Sequence, residues 1–312
     1  MSGAQADDLQ HGGDRDRPAG DDAVSGDVGD TLIPGRARPI DGFPVARVLP
    51  AMARRLVGPF CFFDHLGPVD LPPESGFDVR PHPHIGLSTV TYVFEGAVFH
   101  RDSLGSEATI RPGSIHWMTA GRGIVHSERT PPEERSRGMR LHALQLWVAL
   151  PQEHEETEPS FRHYPGDTLP ELEVGGVRIR VLAGNAYGVV APVAVHSPLF
   201  YVEAQMPAGT SLTMPDEHAE RAVYVVTGTV EHGETVVPER SMLVFGPGAR
   251  TVRARENAHV VLVGGAPLES PRHIEWNFVS SSQARIERAK DDWRGRRFPA
   301  IPGDDEEFIP LP

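Results

Sequence analysis

The chain has 312 residues, 43 acidic against 30 basic, and a formal net charge of −13 at pH 7. That balance argues against a sequence-independent nucleic-acid binder, which needs a Lys/Arg surplus on at least one face. At roughly 150 residues per domain the length suits two domains, and 32 Gly with 30 Pro favour short strands and turns over a helical bundle.

Residues 1–32 read as a disordered acidic tail: the first 30 carry eight Asp, two Arg and no Phe, Trp, Tyr or Ile. With Asp304, Asp305, Glu306 and Glu307 near the other end, the two ends hold ten of the thirteen net negative charges. The body between them is close to neutral. The lone Cys61 rules out a disulfide within the chain and fits a reducing compartment. The opening residues lack an apolar signal core, and no run approaches the roughly 18 apolar residues of a spanning helix. A soluble cytoplasmic protein is predicted.

From 33 to 151 short apolar runs are cut by Gly and Pro: Phe60 to Phe63, Leu87 to Phe94, Ile115 to Met118 and Leu141 to Leu150. The β-branched and aromatic residues of Thr89–Phe94 favour a strand, and Glu95-Gly96 supplies a turn. Residues 152–170, with Glu153, Glu155, Glu156 and Glu158 among prolines, read as a linker. Strands resume from 171. Thr91–Val98 matches Val223–Val230 at an offset of 132, and Ser114–Met118 faces Ser241–Phe245 at 127. So long a period, seen twice, indicates a duplicated domain. One helix is expected at about 281–294, where Ile286, Ala289 and Trp293 form an apolar stripe.

Fifteen histidines are about twice ordinary usage, and nine lie between His65 and His163. Two motifs stand out, Pro81-His82-Pro83-His84 and Val125-His126-Ser127-Glu128. Strand residues i and i+2 project to one face, so His82 with His84, and His126 with Glu128, would line the inside of one barrel. Three imidazoles and a carboxylate suit Fe(II), Mn(II), Ni(II), Co(II) or Cu(II), and less specifically Zn(II). Surface histidines on a Pro-rich turn are the bland alternative. The spacing tips the balance: Gly76 lies six residues before His82 and Gly121-Arg122-Gly123 precedes His126, as in the two motifs of cupins, where such glycines make tight turns.

Arg80–Tyr92, Trp117–Glu128 and Gln145–Pro151 resemble signatures of the pirin family, and Trp276–Ser280, Arg296–Pro299 and Phe308–Pro312 are similar to its C-terminal pattern. The resemblance implies an all-β bicupin: a metal-binding barrel at 33–151, a metal-free one at 171–312, and a closing helix. It places the family's ligands on His82, His84, His126 and Glu128. His116 is a weaker candidate for the third ligand, and Asp64-His65 could orient a ligand imidazole. At the 132 offset Met214 and Asp216 replace His82 and His84, and His218 and His232 stand without partners. Phe60, Phe62, Phe63 and Trp117 are candidates for an aromatic pocket.

The implied chemistry is that of quercetin 2,3-dioxygenase: a flavonol opened by O2 with release of carbon monoxide, Fe(II) the first choice of cofactor and Glu128 the general base. The competing classes are a metal- or redox-sensing regulator acting through a protein partner, and a purely structural ion.

Overall fold

The computed structural model describes residues 29–39, 43–248 and 250–312. Most of the expected acidic tail lies outside these residues. Its last part does not behave as a tail: Thr31–Pro34 is a strand, β1.

After β1 come β2 (Arg36–Ala37), β3 (Val45–Leu49), β4 (Phe60–Leu71), β5 (Asp78–His84), β6 (Leu87–Glu95) and β7 (Val98–Asp102). Next are β8 (Glu107–Ile110), β9 (Ile115–Thr119), β10 (Ile124–Arg129), the short α1 (Pro132–Arg137), β11 (Met139–Ala149) and β12 (Ser160–Tyr164). The second half opens with β13 (Glu171–Val174), β14 (Val177–Ala186), β15 (Val189–Val190), β16 (Leu199–Met206), β17 (Ser211–Thr213) and β18 (Glu220–Thr227). It continues through β19 (Thr229–His232), β20 (Thr235–Pro238), β21 (Ser241–Val244), β22 (Thr251–Ala254) and β23 (Ala258–Gly265). A small hairpin, β24 (His273–Glu275) and β25 (Phe278–Ser280), leads into α2 (Gln283–Arg294).

These strands build two cupin barrels. In the first, a sheet of order β12-β9-β6-β11-β4-β3-β2 faces β5-β10-β7-β8. In the second, β1-β21-β18-β23-β16-β14-β13, with β15 beside β14, faces β17-β22-β19-β20. Two segments therefore depart from the sequence reading. β1 completes the sheet of the second barrel, pairing Leu32 with Leu243 and burying Ile33. β12, inside the expected linker, pairs with β9 of the first barrel and puts Phe161 opposite Met118. Their polar surroundings hide both strands, because an edge strand needs only every second residue to be apolar.

The two larger sheets pack face to face. Phe60, Phe63, Tyr92, Trp117, Leu144 and Leu146 of the first barrel meet Tyr201, Tyr224, Val261 and Val263 of the second in one buried core. Alternation along each strand then turns the intervening residues, such as Thr91 in β6 and His116 in β9, into the first barrel. The inside of the second barrel is a separate apolar cluster that includes Met214, Phe200, Val223 and Leu262. The helix forms as the stripe implies. Ser282 caps it by accepting from the Arg285 amide, and Ile286, Ala289 and Trp293 are its buried residues. Among the described residues no helix is long and apolar enough to cross a membrane.

Candidate metal centre

Strands β5 and β10 run antiparallel with His126 directly opposite His82. Adjacent alternation brings in His84, which shares a face with His82. Ring centres lie 4.4 Å apart for His82 and His126, and 5.0 Å for His84 and His126. Among the described residues these three are the group whose ligand atoms all lie within 4.8 Å of one another, and all three are buried.

The outward nitrogens fix how the rings face. His82 Nδ1 lies 2.8 Å from the Arg80 carbonyl and His84 Nδ1 3.1 Å from the Asn277 carbonyl. A carbonyl only accepts, so both rings carry their proton on Nδ1 and keep a lone pair on Nε2. The Nε2 atoms of His84 and His126 are 3.1 Å apart and aim at the same space. Burial pushes the His82 imidazole down to about 4. Burial also holds His84 and His126 well below the usual histidine range, with the neighbouring rings adding to it. Neutral imidazoles with converging lone pairs are a donor set that fits a borderline divalent cation.

Glu128 stands apart from this group. The β5–β10 pairing shifts register between His126 and Glu128, so that Glu128 lies opposite Val79. Its Oε1 is 3.1 Å from the Thr91 hydroxyl, which in turn lies 2.8 Å from the end of the Gln145 amide. The Thr91 hydroxyl thus has two acceptors in reach, Glu128 Oε1 and Gln145 Oε1, and one proton to give them. Glu128 is buried, and burial raises its carboxyl above the ordinary range.

On the other side of β10, strand β7 supplies two residues that the sequence reading passed over. His100 pairs with Glu128 and Asp102 with His126 in the register. His100 Nδ1 lies 3.4 Å from His126 Nδ1, and His100 Nε2 lies 3.0 Å from Asp102 Oδ2. The other Asp102 oxygen accepts from the amides of Leu104 and Ser106 at 2.9 and 3.0 Å. Burial works against the Asp102 charge, but His100 and the two amides outweigh it and the carboxyl sits below its usual range. Phe161 of β12 stacks on the His100 ring, centres 4.2 Å apart. The available signal was the same i, i+2 spacing that marked the other two motifs.

Other candidates go elsewhere. His116 Nε2 meets His163 Nδ1 at 2.5 Å on the β9–β12 pair and is not in the triad. Asp64 forms a two-pronged bond to Arg47 at 2.8 and 2.9 Å, and His65 faces Tyr224 and His142, so neither orients a ligand ring. Of the four aromatic candidates, Phe60, Phe63 and Trp117 belong to the core between the barrels. Phe62 alone turns inward. It stacks on Trp147 at 4.1 Å, and Trp147 lies 5.1 Å from His84. A bulge explains why Phe60 and Phe63 share a side: Trp147 pairs with Phe62 but Val148 with Phe60. His218 and His232 do find partners, Asn185 Oδ1 at 3.0 Å and the Thr251 carbonyl at 2.7 Å.

The glycines divide as well. Gly121 is left-handed, φ 51°, and a Cβ there would lie 2.0 Å from the Thr157 carbonyl, so it makes the tight turn into β10. Gly76 is not left-handed; it leaves room for the Arg135 guanidinium, which a Cβ would meet at 2.5 Å.

Comparison with known proteins matches residues 42–148 to the pirin family model and residues 201–299 to that of the pirin C-terminal cupin domain. A pirin-like protein of Caulobacter vibrioides is 50% identical over 287 residues, covering 91% of this chain and 99% of its own. A crystal structure of quercetin 2,3-dioxygenase from Acinetobacter baumannii superposes with a TM-score of 0.84 at 35% identity, over 91% of this chain and 95% of that one. A bacterial pirin from Escherichia coli in complex with nickel(II) shares the fold, with a TM-score of 0.60 at 20% identity over 77% of this chain and all of that one.

Proposed function

The chain belongs to the pirin family, and on that footing we propose that it is a metal-dependent dioxygenase that opens a flavonol such as quercetin with O2 and releases carbon monoxide. The observation that carries this reading is the convergence of three buried imidazoles, with a buried carboxylate two residues along β10 from one of them. His82, His84 and His126 would hold the ion and Glu128 would complete the set. Fe(II) is the first choice, and the nickel(II) found in the Escherichia coli pirin makes Ni(II) the next to test; Mn, Co, Cu and Zn complete the series. When bound, the metal supplies Lewis acidity that lowers the pKa of a flavonol hydroxyl, and a redox partner for O2.

The protein's own groups do the rest. Glu128 accepts the substrate's hydroxyl proton, and its burial places its basicity nearer that of the group it must deprotonate. The Thr91 hydroxyl lies within hydrogen-bond reach of one oxygen of that carboxylate. Phe62 and Trp147 offer stacked apolar surface for a flat ring and exclude water. A single buried cysteine accords with a cytoplasmic setting. Two units are proposed, 33–151 and 171–312, with β12 belonging to the first and β1 to the second.

The test is to incubate iron-, nickel- and manganese-loaded protein with quercetin under air. Carbon monoxide release that disappears in Glu128→Gln and His126→Ala supports the enzyme. Loaded protein that consumes no flavonol with any metal overturns it and favours the regulator.

A further inference from the structure

Two of the three imidazoles lean on main-chain carbonyls, which no side-chain substitution can remove. His126 differs: its outer nitrogen faces another ring, His100, and that ring faces Asp102. We infer that Asp102 and His100 are a positioning relay that holds the proton of His126 on Nδ1 and so keeps its Nε2 lone pair aimed at the metal. The inference rests on the metal-centre reading given above.

The order of protons follows from the donors and acceptors once His100 carries a single proton. Asp102 Oδ1 is occupied by two backbone N–H groups and Oδ2 faces His100 Nε2. A carboxylate only accepts, so His100 carries its proton on Nε2. A His100 ring with that one proton offers a lone pair at Nδ1, and a proton on His126 Nδ1 then fills the 3.4 Å gap between the two nitrogens. His126 Nε2 is left bare on the side where His82 and His84 converge. The relay is rigid at each link. Asp102 is fully buried and locked into the 102–106 turn, and Phe161 clamps the face of His100.

Asp102→Asn reverses the chain without disturbing the turn. The two backbone amides still require an acceptor, so the new carbonyl turns to them and the amide NH2 faces His100. His100 must then accept on Nε2 and carry its proton on Nδ1. That pushes the His126 proton onto Nε2, where it blocks the metal. His100→Gln does the opposite: its NH2 donates to Asp102 and its carbonyl accepts from His126, so the original order is restored.

The experiment uses the full-length apo protein, with the histidine tautomers read by nitrogen-15 NMR and cobalt(II) affinity measured by competition with a chelator. Wild type is expected to show His126 protonated on Nδ1 and to bind one cobalt ion per chain. Asp102→Asn is expected to move that proton to Nε2 and to weaken cobalt binding about 10- to 100-fold. His100→Gln is expected to keep the tautomer and to stay within about threefold of wild type, whereas His100→Leu is expected to follow Asp102→Asn. An unchanged His126 tautomer and unchanged affinity in Asp102→Asn overturn the relay while leaving the metal site intact. Failure of wild type to bind cobalt overturns the metal site, and the tautomers of the apo variants still decide the relay. If Asp102→Asn does not fold, equal affinity in His100→Gln and His100→Leu overturns it.

Discussion

His65 and His142 face each other between β4 and β11 with their Nε2 atoms 2.6 Å apart. The far nitrogen of His65 lies 2.6 Å from the Tyr224 hydroxyl of the second barrel, so a hydrogen-bonded chain crosses the junction of the two barrels. Burial and then His142 push the His65 ring down to about 3, and burial and then His259 push His142 to about 4. Arg240 and Arg140 also oppose a charge there, while Glu95 Oε1 lies 3.7 Å from His142 Nδ1. Both rings thus stay neutral when folded and take up protons when unfolded. Their contribution to stability is complete above the unfolded histidine pKa of about 6.5 and is lost as pH falls from there toward 4. Each such proton steepens the fall by at most about 1.4 kcal/mol per pH unit. Urea midpoints between pH 7.5 and 4.5 are expected to drop less steeply in a His65→Phe, His142→Leu double variant than in wild type. Equal slopes would show that the pair does not titrate on unfolding.

Metal content separates the triad from its neighbours. His82 sits opposite His126 in the pairing, whereas His116 is held by His163 on another sheet. His82→Ala is expected to abolish stoichiometric metal, and His116→Ala to retain at least half of it, by elemental analysis of protein purified in the same way. The reverse pattern would move the site to β9.

Much of this was legible in the sequence because a strand's two-residue period is visible in short motifs. His82-x-His84 and His126-x-Glu128 name their own shared faces, and a metal needs those faces to meet. The same period in His100-x-Asp102 was just as visible, but it takes on meaning only once β7 is known to lie beside β10. Strand order is a long-range property, and no local pattern encodes it. Glu128 illustrates a second limit. Spacing puts it on the His126 face, but a register shift in the partner strand decides how near it comes to the imidazoles. Nor does alternation sort Phe60 and Phe63 from Phe62, since a bulge in the β4–β11 pairing puts the first two on one side.

The turn before β10 gives a stability test. Gly121 has φ 51°, and a side chain there would collide with the Thr157 carbonyl at 2.0 Å. Gly121→Ala therefore adds a conformational cost to a steric one and is expected to destabilise by about 2–4 kcal/mol, read as a drop in urea midpoint. Because the turn delivers His126, metal affinity is expected to fall with it. A neutral effect would mean that the turn relaxes freely.

The C-terminal segment closes over the outside of the ligand strands. The Ile309 amide donates to the Pro81 carbonyl at 2.9 Å, next to His82, and the Trp293 indole donates to the Ile309 carbonyl at 2.9 Å. Asp304 accepts from Ser127 at 2.7 Å and from Arg129 at 2.8 and 3.0 Å, on either side of Glu128. Both metal-bearing strands are thus fastened from outside by a stretch of chain distant in sequence. Deleting residues 303–312 removes these bonds, takes away the buried Ile309 and exposes Ile301, Trp293 and Phe308's former site. The loss of apolar burial alone is worth about 2–4 kcal/mol. The barrels themselves keep their strands, so circular dichroism is expected to remain that of a β-protein while the thermal midpoint falls. Metal is expected to pass to a chelator at least ten times faster than from the full chain, because β5 and β10 can then separate at their outer ends. Equal release rates would show that the triad is held by the barrel alone.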